Sequence, residues 1–260
     1  MTVDWDEVQR TVFPLKGYED GCQRWRESFA YSFVCEAYNF SMIELVDYTQ
    51  RLLGGDSRRR YTQYCSMLIS ITVELQRAGV QNVLDLLTQV ETRQKLEEFT
   101  GQRGVHARDI AALLKYLIYW IIPMKKYLSG LVGNDPSLSE AAKILRGVGV
   151  RTNLDMLEQG LSKAGRKTLA EAHGLPEAVI SSLTNRADFS RMPWASKATI
   201  SNIIGAGYGS LAELANAEPE TLYADFFEYG KSIGKNLKLG NEIESSYRIA
   251  KIVPLLVQNE

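Results

Sequence analysis

Val148-Gly149-Val150-Arg151-Thr152-Asn153-Leu154-Asp155-Met156-Leu157 reads as a junction between two helices. Gly149 stands where the preceding helix must stop, a place that favours positive φ and therefore glycine. Thr152 is a good N-cap. Asp155, three residues on, can reach back to the cap or complement the positive helix end. Two other stretches keep this register: Ala78-Gly79-Val80-Gln81-Asn82-Val83-Leu84-Asp85 and Ala206-Gly207-Tyr208-Gly209-Ser210-Leu211-Ala212-Glu213. A weaker one, with Ser41 and Glu44 as cap and acid, lacks the glycine. A single capping box is common, but several in one register point to a repeated helical unit.

The surroundings of the motif repeat as well. After Leu87 and after Leu157 the chain reads as a short helix, a glycine stop (Gly101 and Gly174) and another helix, starting near Ala107 and Pro176. Pro123 and Pro193 fall at matching places. Helical spacing of apolar residues marks Tyr61 to Ala78, Ile110 to Trp120, Ile200 to Ile204 and Ile243 to Leu256. Gly54-Gly55-Asp56 and Gly133-Asn134-Asp135-Pro136 are the best boundaries. The expected organisation is an aromatic-rich helical segment over 1–64, as cap or docking element, a first repeat module over 65–135 and a second over 136–260.

Bulk properties narrow the function classes. The 260 residues are 45% hydrophobic and 23% charged, an ordinary globular composition. Net charge is -1 and balances within each half, so neither half is a basic arm. Acids at Asp4, Asp6 and Glu7 do not suit a secretory signal. The most apolar run, Ile110 to Met124, is interrupted by Lys115 and is shorter than the ~20 residues of a membrane span. Cys22, Cys35 and Cys65 are odd in number and widely spaced, which suits reduced thiols in a cytoplasmic setting.

From Ala141 to the C-terminus the chain resembles an uncharacterised bacterial domain family of tandem helix-hairpin-helix type, a domain of unknown function. The resemblance rests on Val150 to Leu157, on Lys167-Thr-Leu-Ala-Glu-Ala-His-Gly174, on Asn185-Arg186-Ala187-Asp188-Phe189 and on Ile204 to Pro219. It covers nearly half the chain and implies an all-α fold of degenerate helix-hairpin-helix repeats. Helix-hairpin-helix domains that bind DNA present a Gly-x-Gly hairpin, whose bare amides and following helix start meet a phosphate. Here the corresponding triplet is Trp194-Ala195-Ser196. One repeat earlier it is expected at Pro136-Ser137-Leu138, in the 65–135 copy at about Ser66-Met67-Leu68, and near Pro123 at Met124-Lys125-Lys126. None keeps the glycines.

The sequence holds few residues that invite chemistry. His106 and His173 stand without a second metal ligand at suitable spacing, and no nucleophile elbow, P-loop or dinucleotide fingerprint occurs. No catalytic residue, cofactor, metal or small-molecule substrate is expected. Gly79, Gly149 and Gly207 are helix stops; Asn185, Arg186 and Asp188 read as helix-end caps and carbonyl binders. The densest basic cluster is Arg58, Arg59 and Arg60, and a smaller basic turn holds Lys163, Arg166 and Lys167. The reading with most support is a non-enzymatic scaffold or adaptor subunit of a larger assembly. It contacts a protein partner through its hairpin turns, with Trp194, Met124, Lys125, Lys126 and Arg58 to Arg60 as contact residues. The alternative is a nucleic-acid-binding protein using Arg58 to Arg60 and the 163–167 turn.

Overall fold

The computed structural model describes residues 2–55, 59–237 and 244–258. Among them every extended element is helical, with two isolated β-bridges and no strand. The protein is all-α. It divides into two compact units, Met1–Met124 and Lys125–Glu260.

The first unit holds α1 (Trp5–Val12), α2 (Tyr18–Ser28), α3 (Ser32–Tyr38), α4 (Met42–Leu53), α5 (Arg59–Arg77), α6 (Val83–Val90), α7 (Arg93–Arg103) and α8 (Ala107–Tyr116). A π-helical turn, Leu117–Ile121, continues α8. The core is aromatic: Tyr18, Trp25, Phe33, Tyr38 and Tyr116 are each at most 3% exposed. Their hydroxyls find partners inside, as a buried phenol requires: Tyr18 Oη donates to Val90 O at 2.7 Å and Tyr116 Oη to Thr49 Oγ1 at 3.1 Å. With α4 packed along α5 and α1 against α8, residues on both sides of position 64 share this core. The expected boundary there has no counterpart. The 1–64 segment is part of one compact unit that runs to Met124.

The run from Ile110 lies in α8 and its π-helical turn, buried. No helix among the described residues is long and apolar enough to cross a membrane. Cys22 and Cys65 are buried, and all three cysteines are free. Burial pushes the Cys22 thiol up to about 12, which favours its protonated form.

The second unit holds α9 (Pro136–Gly147), α10 (Asn153–Gly160), α11 (Lys163–His173), α12 (Glu177–Phe189), α13 (Lys197–Gly205), α14 (Leu211–Asn216), α15 (Pro219–Ser232) and α16 (Glu244–Ala250). The most extensive helix packing of this unit is α10 on α12. Gly160 permits it, since a Cβ there would lie 2.7 Å from Thr184 Oγ1. Residues 125–135 belong to this unit too. Tyr127 bridges Thr152, with Leu128 N donating to Arg151 O and Asn153 N to Lys126 O, both at 2.9 Å. The boundary expected at 135/136 therefore falls at 124/125.

The helix expected over Ile243 to Leu256 is shorter. Ile243 lies outside the described residues, and α16 ends at Ala250. Pro254 cannot donate to a continuing helix. The tail crosses the unit instead, with Gln258 N donating to Leu161 O at 2.9 Å.

Candidate functional site

Three helix junctions share one set of hydrogen bonds. At the ends of α5, α9 and α13, Gly79, Gly149 and Gly207 adopt φ of 95°, 96° and 103°. The next residue then closes the terminal turn: Val80 N donates to Leu75 O, Val150 N to Leu145 O and Tyr208 N to Ile203 O, at 3.0–3.2 Å. This is the Schellman arrangement that a left-handed glycine permits. One residue before each cap, an amide donates forward to the acid: Gln81 N to Asp85, Arg151 N to Asp155, Gly209 N to Glu213, at 2.7–3.0 Å. Asn82, Thr152 and Ser210 accept from the same acids' own amides. The glycine that ends α7 is Gly104 (φ 75°), not Gly101, which lies inside that helix.

The turn between α12 and α13 is built differently. Trp194 sits at φ 64°, and no other non-glycine residue among those described has positive φ. Its side chain is 66% exposed. Two residues later Ser196 caps α13, accepting from Thr199 N at 3.1 Å. The turn before α9 has the same form: Gly133 at φ 68°, then Asp135 as cap two residues later. Gly133-Asn134-Asp135 is therefore the counterpart of Trp194-Ala195-Ser196. The triplet expected at Pro136 to Leu138 lies within α9, and that at Ser66 to Leu68 lies within α5. So one of these turns does keep a glycine. Its helix start is already filled, because Asp135 Oδ1 accepts from Ser137 N and Leu138 N, and Pro136 has no amide proton. A second anion there meets a carboxylate.

Behind Trp194 lies a polar network that fixes residues 188–195. Lys126 Nζ donates to Ser190 O at 2.7 Å and to Ala195 O at 3.1 Å. Asn153 accepts from Lys126 N at 2.7 Å and donates to Ser190 Oγ at 2.9 Å. Arg191 is buried against Asp188, its Nε donating to Oδ1 at 2.8 Å, and its Nη2 donates to Pro254 O at 2.9 Å. Burial pushes the Lys126 amine down to about 8, and burial raises the Asp188 carboxyl against the pull of Arg191. Buried polar groups are costly unless paired, and these are paired: Lys126 with two carbonyls of the loop, Asn153 with Ser190 Oγ, and Arg191 with Asp188 and Pro254 O. The result is an exposed tryptophan on a stiffly held turn.

The other candidate residues fall as follows. Arg58 lies outside the described residues. Arg59 and Arg60 open α5, exposed, with the Arg60 guanidinium 5.0 Å from the Tyr61 ring centre. Met124 to Lys126 form no hairpin: they lie in chain without regular secondary structure before the Tyr127 bridge. Met124 Sδ accepts from Ser28 Oγ at 3.9 Å, Lys125 is exposed, and the Lys126 ammonium points inward. The 163–167 turn is the first part of α11, and Arg166 is buried, donating to Gly160 O, Leu161 O and Gln258 O. It is thereby lost to the nucleic-acid reading. Asn185 to Asp188 lie within the last turns of α12 rather than at a break. Arg186 binds a carbonyl, Leu131 O at 3.0 Å, but Asp188 pairs with Arg191 instead of capping. Asn153, Ser190 and Arg191, which brace the loop, were not among the sequence candidates. No group of metal-ligating side chains occurs among the described residues.

The family described as Domain of unknown function (DUF4332) matches residues 136–243, which takes in the Trp194 turn. No curated protein and no solved structure matches the chain.

Proposed function

We propose that this chain is a non-enzymatic binding subunit that engages a protein partner through the Trp194 turn. One observation carries the reading. A large aromatic ring is held out to solvent on a left-handed backbone, which costs a non-glycine residue about 1–2 kcal/mol. The loop beneath it is braced by buried Asn153 and Arg191 and half-buried Lys126. A ring kept in place at such cost suits an anchor for a partner, since tryptophan is enriched among the residues that dominate interface energetics.

The same reading takes the units as degenerate helix-hairpin-helix repeats. Its support is the identical bonding at the three glycine junctions and the matching form of the Gly133 and Trp194 turns. In one of those turns the helix start is filled by Asp135. In the other a tryptophan stands where backbone amides need open access. Both features favour a polypeptide over a sugar-phosphate strand.

The test is affinity purification of the full chain from its native cell, wild type beside Trp194→Ala, with quantitative mass spectrometry of what is retained. At least one protein is expected to be lost from the variant while its circular dichroism and melting stay those of a folded chain. An unchanged set of retained proteins refutes the assignment of this turn.

A further inference from the structure

We infer that the Gly133 turn carries a niche for a carboxylate group, with Arg186 and Ser201 as its donors. This niche is distinct from the Trp194 turn, and three buried arginines, unequally satisfied, point to it. Arg166 donates to Gly160 O, Leu161 O and Gln258 O, and Arg191 is matched by Asp188 and Pro254 O. Arg186 is buried too, 8% exposed, yet its hydrogen bond goes to one carbonyl, Leu131 O at 3.0 Å. Its Nε is buried with no acceptor among the described residues. A buried guanidinium so poorly matched is costly, and an added acceptor recovers part of that cost.

Gly133 shows where such an acceptor sits. A Cβ built on it would lie 3.4 Å from Ser201 Oγ, 3.6 Å from Arg186 Nη1 and 3.8 Å from Arg186 Nη2, and these are its three nearest atoms. The space that a side chain would fill is therefore bordered by donors of α12 and α13, and the glycine keeps it open. It is not the α9 start, whose amides Asp135 Oδ1 already takes. The two terminal nitrogens of a guanidinium match the two oxygens of a planar carboxylate, and the half-buried Ser201 hydroxyl adds a third donor. Asp135 decides between carboxylate and phosphate. Burial pulls the Arg186 guanidinium down, and Asp135 holds it up as a neighbouring charge. A cation already shared with Asp135 suits a single further negative charge, while a phosphate dianion meets more repulsion.

The test titrates the full chain with sodium acetate at constant ionic strength, sodium chloride making up the difference. It reads the Arg186 Nε–Hε resonance and the melting temperature. A saturable shift and a saturable rise in melting temperature are expected for wild type and, unchanged, for Trp194→Ala. Gly133→Ala places a methyl in the niche and should weaken acetate about tenfold or more. Ser201→Ala removes one donor, leaves the turn as it is and should weaken acetate about fivefold or more, so it decides the matter if Gly133→Ala fails to fold. N-acetylglycylglycine bound more tightly than acetate identifies a polypeptide terminus as the source of the carboxylate; equal affinity identifies a small free acid. A shift that never saturates shows a solvent-filled niche and overturns the inference. So does an acetate response that survives unchanged in Gly133→Ala and Ser201→Ala, or inorganic phosphate that binds more tightly than acetate.

Discussion

Replacing Trp194 by glycine and by alanine separates the backbone of the turn from the ring it carries. With the side chain 66% exposed, about a third of its area is covered. For a side chain of roughly 150–250 Å² that is ~1–2 kcal/mol at about 25 cal/mol per Å². Both substitutions lose that contribution equally, so their difference reports the backbone alone. At φ 64° alanine keeps the left-handed cost of about 1–2 kcal/mol, and glycine escapes most of it, less the freedom glycine gains on unfolding. Trp194→Gly is therefore expected to be about 1 kcal/mol more stable than Trp194→Ala, the reverse of their order in a helix. Urea denaturation followed by far-ultraviolet circular dichroism measures it. Alanine equal to or above glycine means residue 194 is not in the left-handed region. On the proposal that the ring is an anchor, the two variants are expected to fall together in binding, by about 2 kcal/mol or ~30-fold. A glycine variant that folds better yet binds like wild type rules out the ring as a contact.

Other perturbations test the brace and the junctions. Lys126 has its amine lowered from 10.5 to about 8 by burial, so the folded state sheds a proton that the unfolded chain keeps. Its contribution to stability rises as pH climbs from about 8 toward 10.5. The gap between wild type and Lys126→Met, read at pH 7 and pH 9.5, should shift in favour of wild type; a constant gap shows that the amine is not buried. Gly149→Ala meets open space at φ 96° and should cost about 1–3 kcal/mol from backbone strain alone, whereas Gly147→Ala, at the end of α9, should gain up to about 1 kcal/mol. Equal effects of the two on the urea midpoint contradict the Schellman geometry. Arg191→Met leaves Asp188 buried without its cation and should cost about 3–5 kcal/mol, more than the double variant Asp188→Leu, Arg191→Met. If the double variant is the less stable, the pair is not the buried unit described here.

The junctions were legible because their signals are local. A glycine, a cap and an acid at fixed spacing involve bonds across a few residues, and Gly79, Gly149 and Gly207 carry the conformation that spacing asks for. The prominence of Trp194 was legible too, from its place in a turn. The brace was not, because its contacts join residues 63 to 69 positions apart in Lys126–Ser190, Lys126–Ala195 and Arg191–Pro254. Composition treats Lys126 and Arg166 as surface cations. A finer look at periodicity holds a hint for each. In extended chain Lys126 shares a face with buried Leu128, and in α11 Arg166 lies three and four residues before buried Leu169 and Ala170. Domain boundaries failed for a related reason: a 70-residue offset between motifs marks where a pattern recurs, not where contacts stop.

The position of the brace bears on how the matched segment is understood. Residues 136–243 include the turn, Asp188 and Arg191, but neither Lys126 nor Pro254. Two carbonyls of the loop, at Ser190 and Ala195, take their hydrogen bonds from an ammonium that precedes that segment, and one guanidinium proton goes to a carbonyl that follows it. The matched segment thus supplies a helical frame and a turn in it. Part of what holds that turn therefore comes from chain on either side. The conformation of the Trp194 turn is accordingly a property of the whole unit from Lys125 onward, because only there are the ring, its left-handed backbone and the groups that hold the loop present together.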